Sequence, residues 1–159
     1  MKSIRTRALA VIATVVLLSL SLGVGVVAAD SRDHRNAENT FTKWITNWEA
    51  GTMAGVVGGD VGNGTYAGQI LSFSGTGSAS DPVKITADYH FFGARHSFTA
   101  HLDIVQIGAL ASLNGRVTDG WLKGNLAEGE YTQIPCDKGV QDPQACYQGT
   151  LDILRGTKH

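Results

Sequence analysis

Residues 84–103 read KITADYHFFGARHSFTAHLD. On either side of Gly93-Ala94 apolar and polar residues alternate, the period of antiparallel strands with one wet face. Taking Gly93-Ala94 as a two-residue loop, with glycine at the first central position as a type II′ turn prefers, puts Phe92 opposite Arg95 and Lys84 opposite Asp103. One face then carries Ile85, Ala87, Tyr89, Phe91, Phe98, Ala100 and Leu102, with His96 at the turn end. The other carries Lys84, Thr86, Asp88, His90, Ser97, Thr99, His101 and Asp103. A slip of one residue would destroy that separation, so the two faces are well specified.

Working outward, the same grammar continues. Residues 65–73, 110–118, 121–126, 130–134 and 147–154 read as further strands, with a Gly/Ser loop over 74–82. Asp119-Gly120 suits a type I′ hairpin that would set Val117 opposite Leu122 and Gly115 opposite Gly124. Facing glycines indicate a bend, as closing a small barrel requires. Several strands at roughly ten-residue spacing imply an all-β fold, a single antiparallel β-barrel or, alternatively, a β-sandwich. Twenty glycines, three prolines and 17% charged residues among 159 fit that reading better than a long-helix bundle. Residues 40–48 are ambiguous: Phe41, Trp44, Ile45 and Trp48 have helical spacing, yet the residue types favour a strand, the preferred reading.

Toward the N-terminus, Lys2, Arg5 and Arg7 precede an apolar run that ends in Val27-Ala28-Ala29. That order predicts a cleaved secretory signal over residues 1–29. Residues 30–54 are then a polar arm and first element, and 55–159 the barrel. Cleavage would remove those three cations and no acidic residue, leaving a mildly acidic domain with no membrane span and no electrostatic reason to bind nucleic acid. The expected location is secreted, periplasmic or otherwise extracytoplasmic. Cys136 and Cys146, the chain's two cysteines, flank turn residues and lack C-x-x-C spacing. In an oxidising compartment they are expected to form a hairpin disulfide contributing roughly 2.5–3 kcal/mol through chain entropy.

Chemistry-bearing patterns are few. Asp88, His90, His101 and Asp103 share the polar hairpin face and are an alternative metal site, though a solvated face ordinarily carries such residues. With Ser97 nearby, a nucleophile–base pair is a further alternative. Residues 58–68 are glycine-rich but match neither a phosphate loop, a dinucleotide fingerprint nor a calcium loop. No G-x-S-x-G or H-E-x-x-H occurs, and no cofactor is implied.

The run Gly58-Gly59-Asp60-Val61-Gly62-Asn63-Gly64-Thr65-Tyr66-Ala67-Gly68 resembles the glycine-rich turn before an aromatic-x-Gly strand in allene oxide cyclase and dirigent-type barrels. The resemblance extends over residues 55–154. It implies an eight-stranded barrel with an apolar interior, and carries over no catalytic position. The leading expectation is an exported barrel that binds a small apolar ligand in its interior, with Tyr89, Phe91, His96 and Phe98 at the mouth. One alternative is a cyclase, isomerase or metal-assisted enzyme. Another is an envelope- or polysaccharide-interacting module that uses Trp121 as an aromatic contact.

Overall fold

The computed structural model describes residues 36–137 and 145–156; the proposed signal segment lies outside them. Eight strands follow one another in chain order: β1 (Ala37–Asn47), β2 (Thr52–Gly59), β3 (Gly64–Ser74), β4 (Val83–Gly93), β5 (Ser97–Ile107), β6 (Leu110–Gly120), β7 (Leu126–Ile134) and β8 (Cys146–Leu154). Each pairs antiparallel with the next, and β8 returns to β1, closing an up-and-down barrel. The fold expected from the strand pattern is therefore present, as is the Cys136–Cys146 disulfide at the β7–β8 junction.

Alternation explains the walls. In β5, Phe98, Ala100, Leu102 and Ile104 are buried, whereas Ser97, His101, Asp103 and Val105 are exposed. In β4, Ala87, Tyr89 and Phe91 are buried inside. Residues 40–47 belong to strand β1, in which Ala37, Asn39, Phe41, Lys43 and Ile45 all point inward. The barrel thus begins at Ala37 rather than at residue 55, because β1 supplies the stave between β2 and β8.

Two hairpin registers differ from expectation. The β4–β5 ladder pairs Phe92 with Ser97, Phe91 with Phe98 and Asp88 with His101, two residues away from the sequence-based register. Lys84 faces Val105, and Asp103 faces Thr86. An even shift preserves the two faces, so the inside set is unchanged. The connection is longer than two residues because its amides find partners on the β2–β3 turn: Ala94 N–H donates to Asn63 O, and Arg95 and His96 N–H both donate to Val61 O.

The second hairpin moves by an odd number. Asp119-Gly120 is not its turn: Gly120 pairs with Phe98, and Trp121 N–H donates to Ser97 O, so β6 runs on along β5. The reversal falls at residues 121–125, with Leu122 at φ 59° and Gly124 at φ 89°. Gly115 consequently faces Ala127, not Gly124, and residues 126–134 form one strand. A left-handed leucine, which costs about 1–2 kcal/mol, is held there by packing against the core.

The ends of the barrel differ. The end bearing the β2–β3, β4–β5 and β6–β7 connections is plugged by Val61, fully buried, and covered by Trp121 and Leu122. Arg95 fastens it by donating to the carbonyls of Gly59 and Asp60. On the outer wall, Asp152 is the register partner of both Glu38 and Glu128. Partial burial, then the Glu38 charge, raises the Asp152 carboxyl above the usual range. Like charges directly opposite in a sheet are destabilising by a few tenths to about 1 kcal/mol. Asp152→Asn is therefore expected to stabilise the barrel by up to about 1 kcal/mol at neutral pH. The gain should vanish in acid, once the wild-type carboxyls are protonated; paired urea melts at both pH values would test it.

Candidate functional site

Two polar side chains are buried among the described core residues, Asn39 and Lys43. Asn39 is accounted for. Its amide donates to the carbonyls of Leu151 (3.1 Å) and Ala37 (3.3 Å), and its oxygen accepts from Val61 N–H (3.1 Å). It ties β1, β8 and the plugged end together.

Lys43 is another matter. It sits in mid-β1, between Gly55 on β2 and Tyr147 on β8, with 2% of its surface exposed. Among the described residues its amine has one hydrogen-bond partner, the Tyr89 hydroxyl. Otherwise it is surrounded by aromatic rings, with Nζ 4.0 Å from the Tyr131 centroid, 4.5 Å from Tyr89, 5.3 Å from Tyr147 and 5.8 Å from Phe41. No carboxylate joins this shell among the described residues. Burial therefore pushes the Lys43 amine well below its ordinary range. Burial pushes the Tyr66 and Tyr89 hydroxyls well above theirs, and raises Tyr131 and Tyr147 in the same direction. Both shifts favour a neutral amine beside protonated tyrosine hydroxyls, with Nζ donating to the Tyr89 oxygen.

Over this cage lies a cavity of about 120 Å³ at the barrel end opposite Val61. Tyr89, Tyr131 and Tyr147 border it from below, and Ile45, Met53, Ile70, Ile85 and Ile104 form apolar walls. Trp48 and Phe73 line it and are themselves about half exposed, at 47% and 55%. The Tyr131 hydroxyl donates to Gln106 Oε1 (3.0 Å) at the same end.

The residues expected at a mouth are divided between the two ends. Tyr89 borders the cavity. Phe91 and Phe98 are stacked on each other at 4.7 Å deep in the wall, on the side of the plugged end. His96 is exposed outside that end, stacked on Trp121 at 4.1 Å. Trp121 is partly buried between His96 and the guanidinium of Arg155.

The outer histidine face does not converge. Asp88 Oδ1 and His101 Nδ1 are 2.7 Å apart, His90 Nδ1 meets Thr99 Oγ1 at 3.0 Å, and Thr86 donates to Asp103 (3.2 Å). Each forms a separate cross-strand pair, and no group of three metal-ligating side chains forms among the described residues. Ser97 faces Phe92.

Lys43 was missed in the sequence although its signal is there. Phe41, Lys43 and Ile45 alternate, so a strand over residues 40–48 necessarily puts a lysine inside. The helical spacing of Phe41, Trp44, Ile45 and Trp48 obscured it. Compared with known proteins, the chain matches no family model, and no curated protein or solved structure is significantly similar to it.

Proposed function

We propose that the chain binds a small, mostly apolar molecule at the open end of the barrel, with the molecule's polar group turned toward Lys43. The observation that carries this reading is the contrast between the two buried polar residues. Asn39 has a structural use for each polar atom, whereas Lys43 has a single hydrogen-bond partner among the described residues and lies beneath an apolar cavity. An amine without a counter-charge is a costly way to fill a core that methionine would fill as well. An apolar cavity of roughly 150 Å³ holds benzene, so a site of about 120 Å³ suits a single-ring molecule. The disulfide is compatible with an oxidising, extracytoplasmic setting for this role.

Titration with benzyl alcohol, followed by amide shifts around the cavity, tests the reading. Saturable shifts at Ile45, Ile70 and Ile85 are expected. Phe73→Ser, at an exposed wall residue, should weaken binding about tenfold, equivalent to about 1.4 kcal/mol, with little loss of stability. Phe98→Leu, at the plugged side, should cost up to about 1.5 kcal/mol of stability and leave affinity unchanged. Shifts that fail to saturate, or that track Phe98 rather than Phe73, would refute an open-end site.

A further inference from the structure

We propose that Lys43 captures small apolar aldehydes as an imine; this deepens, and rests on, the reading of the open end as a ligand site. Three rings border both the amine and the cavity: Tyr89, Tyr131 and Tyr147. A single-ring aldehyde seated in the cavity thus has its carbonyl separated from Nζ by one layer of tyrosine side chains. Tyr131 is tied to Gln106 and Tyr89 to Lys43 itself. Tyr147 has no hydroxyl partner among the described residues, and is the ring that turns to admit the carbonyl carbon. Opposite it, Lys43 faces Gly55, so no side chain from β2 crowds the amine on that side.

The chemistry needs no co-reactant. The Nζ lone pair attacks the carbonyl carbon, and the carbonyl π pair moves onto oxygen. A proton passes from nitrogen to that oxygen through the Tyr89 hydroxyl, which lies in hydrogen-bond contact with Nζ, giving a carbinolamine. The Tyr89 hydroxyl then protonates the carbinolamine oxygen, the C–O bond breaks as the nitrogen lone pair forms C=N, and the nitrogen returns its remaining proton to the Tyr89 oxygen. Aldehyde and amine become imine and water, with no change in oxidation state, and the water leaves through the open end. When the imine nitrogen is protonated, the surrounding ring faces stabilise its charge. A desolvated lysine in an apolar pocket is the usual form of an imine-forming nucleophile.

The test uses the full, disulfide-bonded chain with benzaldehyde and cyanoborohydride at neutral pH, read by intact mass and peptide mapping. Reduction should fix one benzyl group on Lys43 at least about tenfold faster than on exposed lysines such as Lys84 and Lys123. Excess benzyl alcohol should slow labelling at Lys43 alone. Labelling spread over the exposed lysines, or Lys43 labelling that benzyl alcohol does not affect, would overturn the inference. If benzyl alcohol binds at the open end and Lys43 stays unlabelled, the imine falls and the binding site stands. If benzyl alcohol does not bind, the site itself falls.

Discussion

Lys43→Met is expected to make the barrel more stable at neutral pH, and to change how its stability depends on pH. In the unfolded chain Lys43 keeps its ordinary pKa of 10.5, whereas burial lowers it in the barrel. Between those two values unfolding takes up a proton, so wild-type stability rises with pH across the window. Below the folded-state value both states are protonated, and the full penalty of a buried ammonium applies. The groups facing the amine shift the opposite way. Tyr66, Tyr89, Tyr131 and Tyr147 all have raised values, so above about pH 10 unfolding releases protons and stability falls. The wild-type profile should therefore climb with pH below the ordinary lysine pKa and turn over near 10. Replacing buried ionic groups with apolar ones of similar volume stabilises by about 1–4 kcal/mol, and a gain in that range is expected for Lys43→Met at pH 7. The Tyr89 ring keeps its edge contact with the Tyr66 ring, at 5.1 Å between centroids. Urea melts from pH 5 to 11 should show the rising limb gone and the alkaline fall retained. A variant less stable than wild type at pH 7 would mean that the lysine is a structural element, and would remove the argument that it is kept for a ligand.

Gly149→Ala should have the opposite sign and a comparable or larger size. Gly149 faces the interior from β8, and a Cβ there would lie 2.2 Å from the Glu130 carbonyl oxygen, 2.7 Å from Tyr131 Cβ and 2.9 Å from Phe41 Cζ. The first two contacts are with the β7 wall itself, which cannot rotate away. The third is with a ring of the lysine cage. Overpacking a well-filled core costs about 1–3 kcal/mol and occasionally more, and with backbone in contact a loss of at least about 3 kcal/mol is expected. For a domain of this size that lowers the melting temperature by about 10 °C or more. Gly156→Ala, where a Cβ meets nothing within 4 Å, is the control and should leave it unchanged. A small effect at Gly149 would mean that β7 and β8 are less tightly apposed than their register indicates.

Much of this architecture was legible in the residues. The inside set of β4 and β5 followed from alternation alone, and survived a two-residue error in register because such an error leaves parity intact. The error came from treating the turn as a local problem. Ala94, Arg95 and His96 donate to another turn about thirty residues earlier in the chain, and no rule of turn composition contains that information. At Asp119-Gly120 a dipeptide suited to a hairpin was spent on continued pairing with β5, and the reversal fell on a leucine with positive φ. There the parity did change, and the expected Gly115–Gly124 pair disappeared. The site was harder to read. Its aromatic members come from β1, β3, β4, β7 and β8 and meet only on closure. Its one basic member, Lys43, is placed inside by the strand period of β1, which the helical spacing of its neighbours leaves ambiguous in the sequence.

Closure itself bears on how the molecule is reached from the unfolded chain. Every ladder but one joins strands adjacent in sequence and can form as a hairpin. The exception is β1 with β8, whose Asn39–Leu151 contact spans 112 residues. Loop-closure entropy delays such pairings, so this seam is the natural last event of folding. Because Lys43 lies on β1 beside that seam, its amine stays hydrated while the seven other ladders can already be formed. Desolvation of the charge and completion of the ring then coincide, which makes the folding rate, and not only the equilibrium, a function of proton concentration.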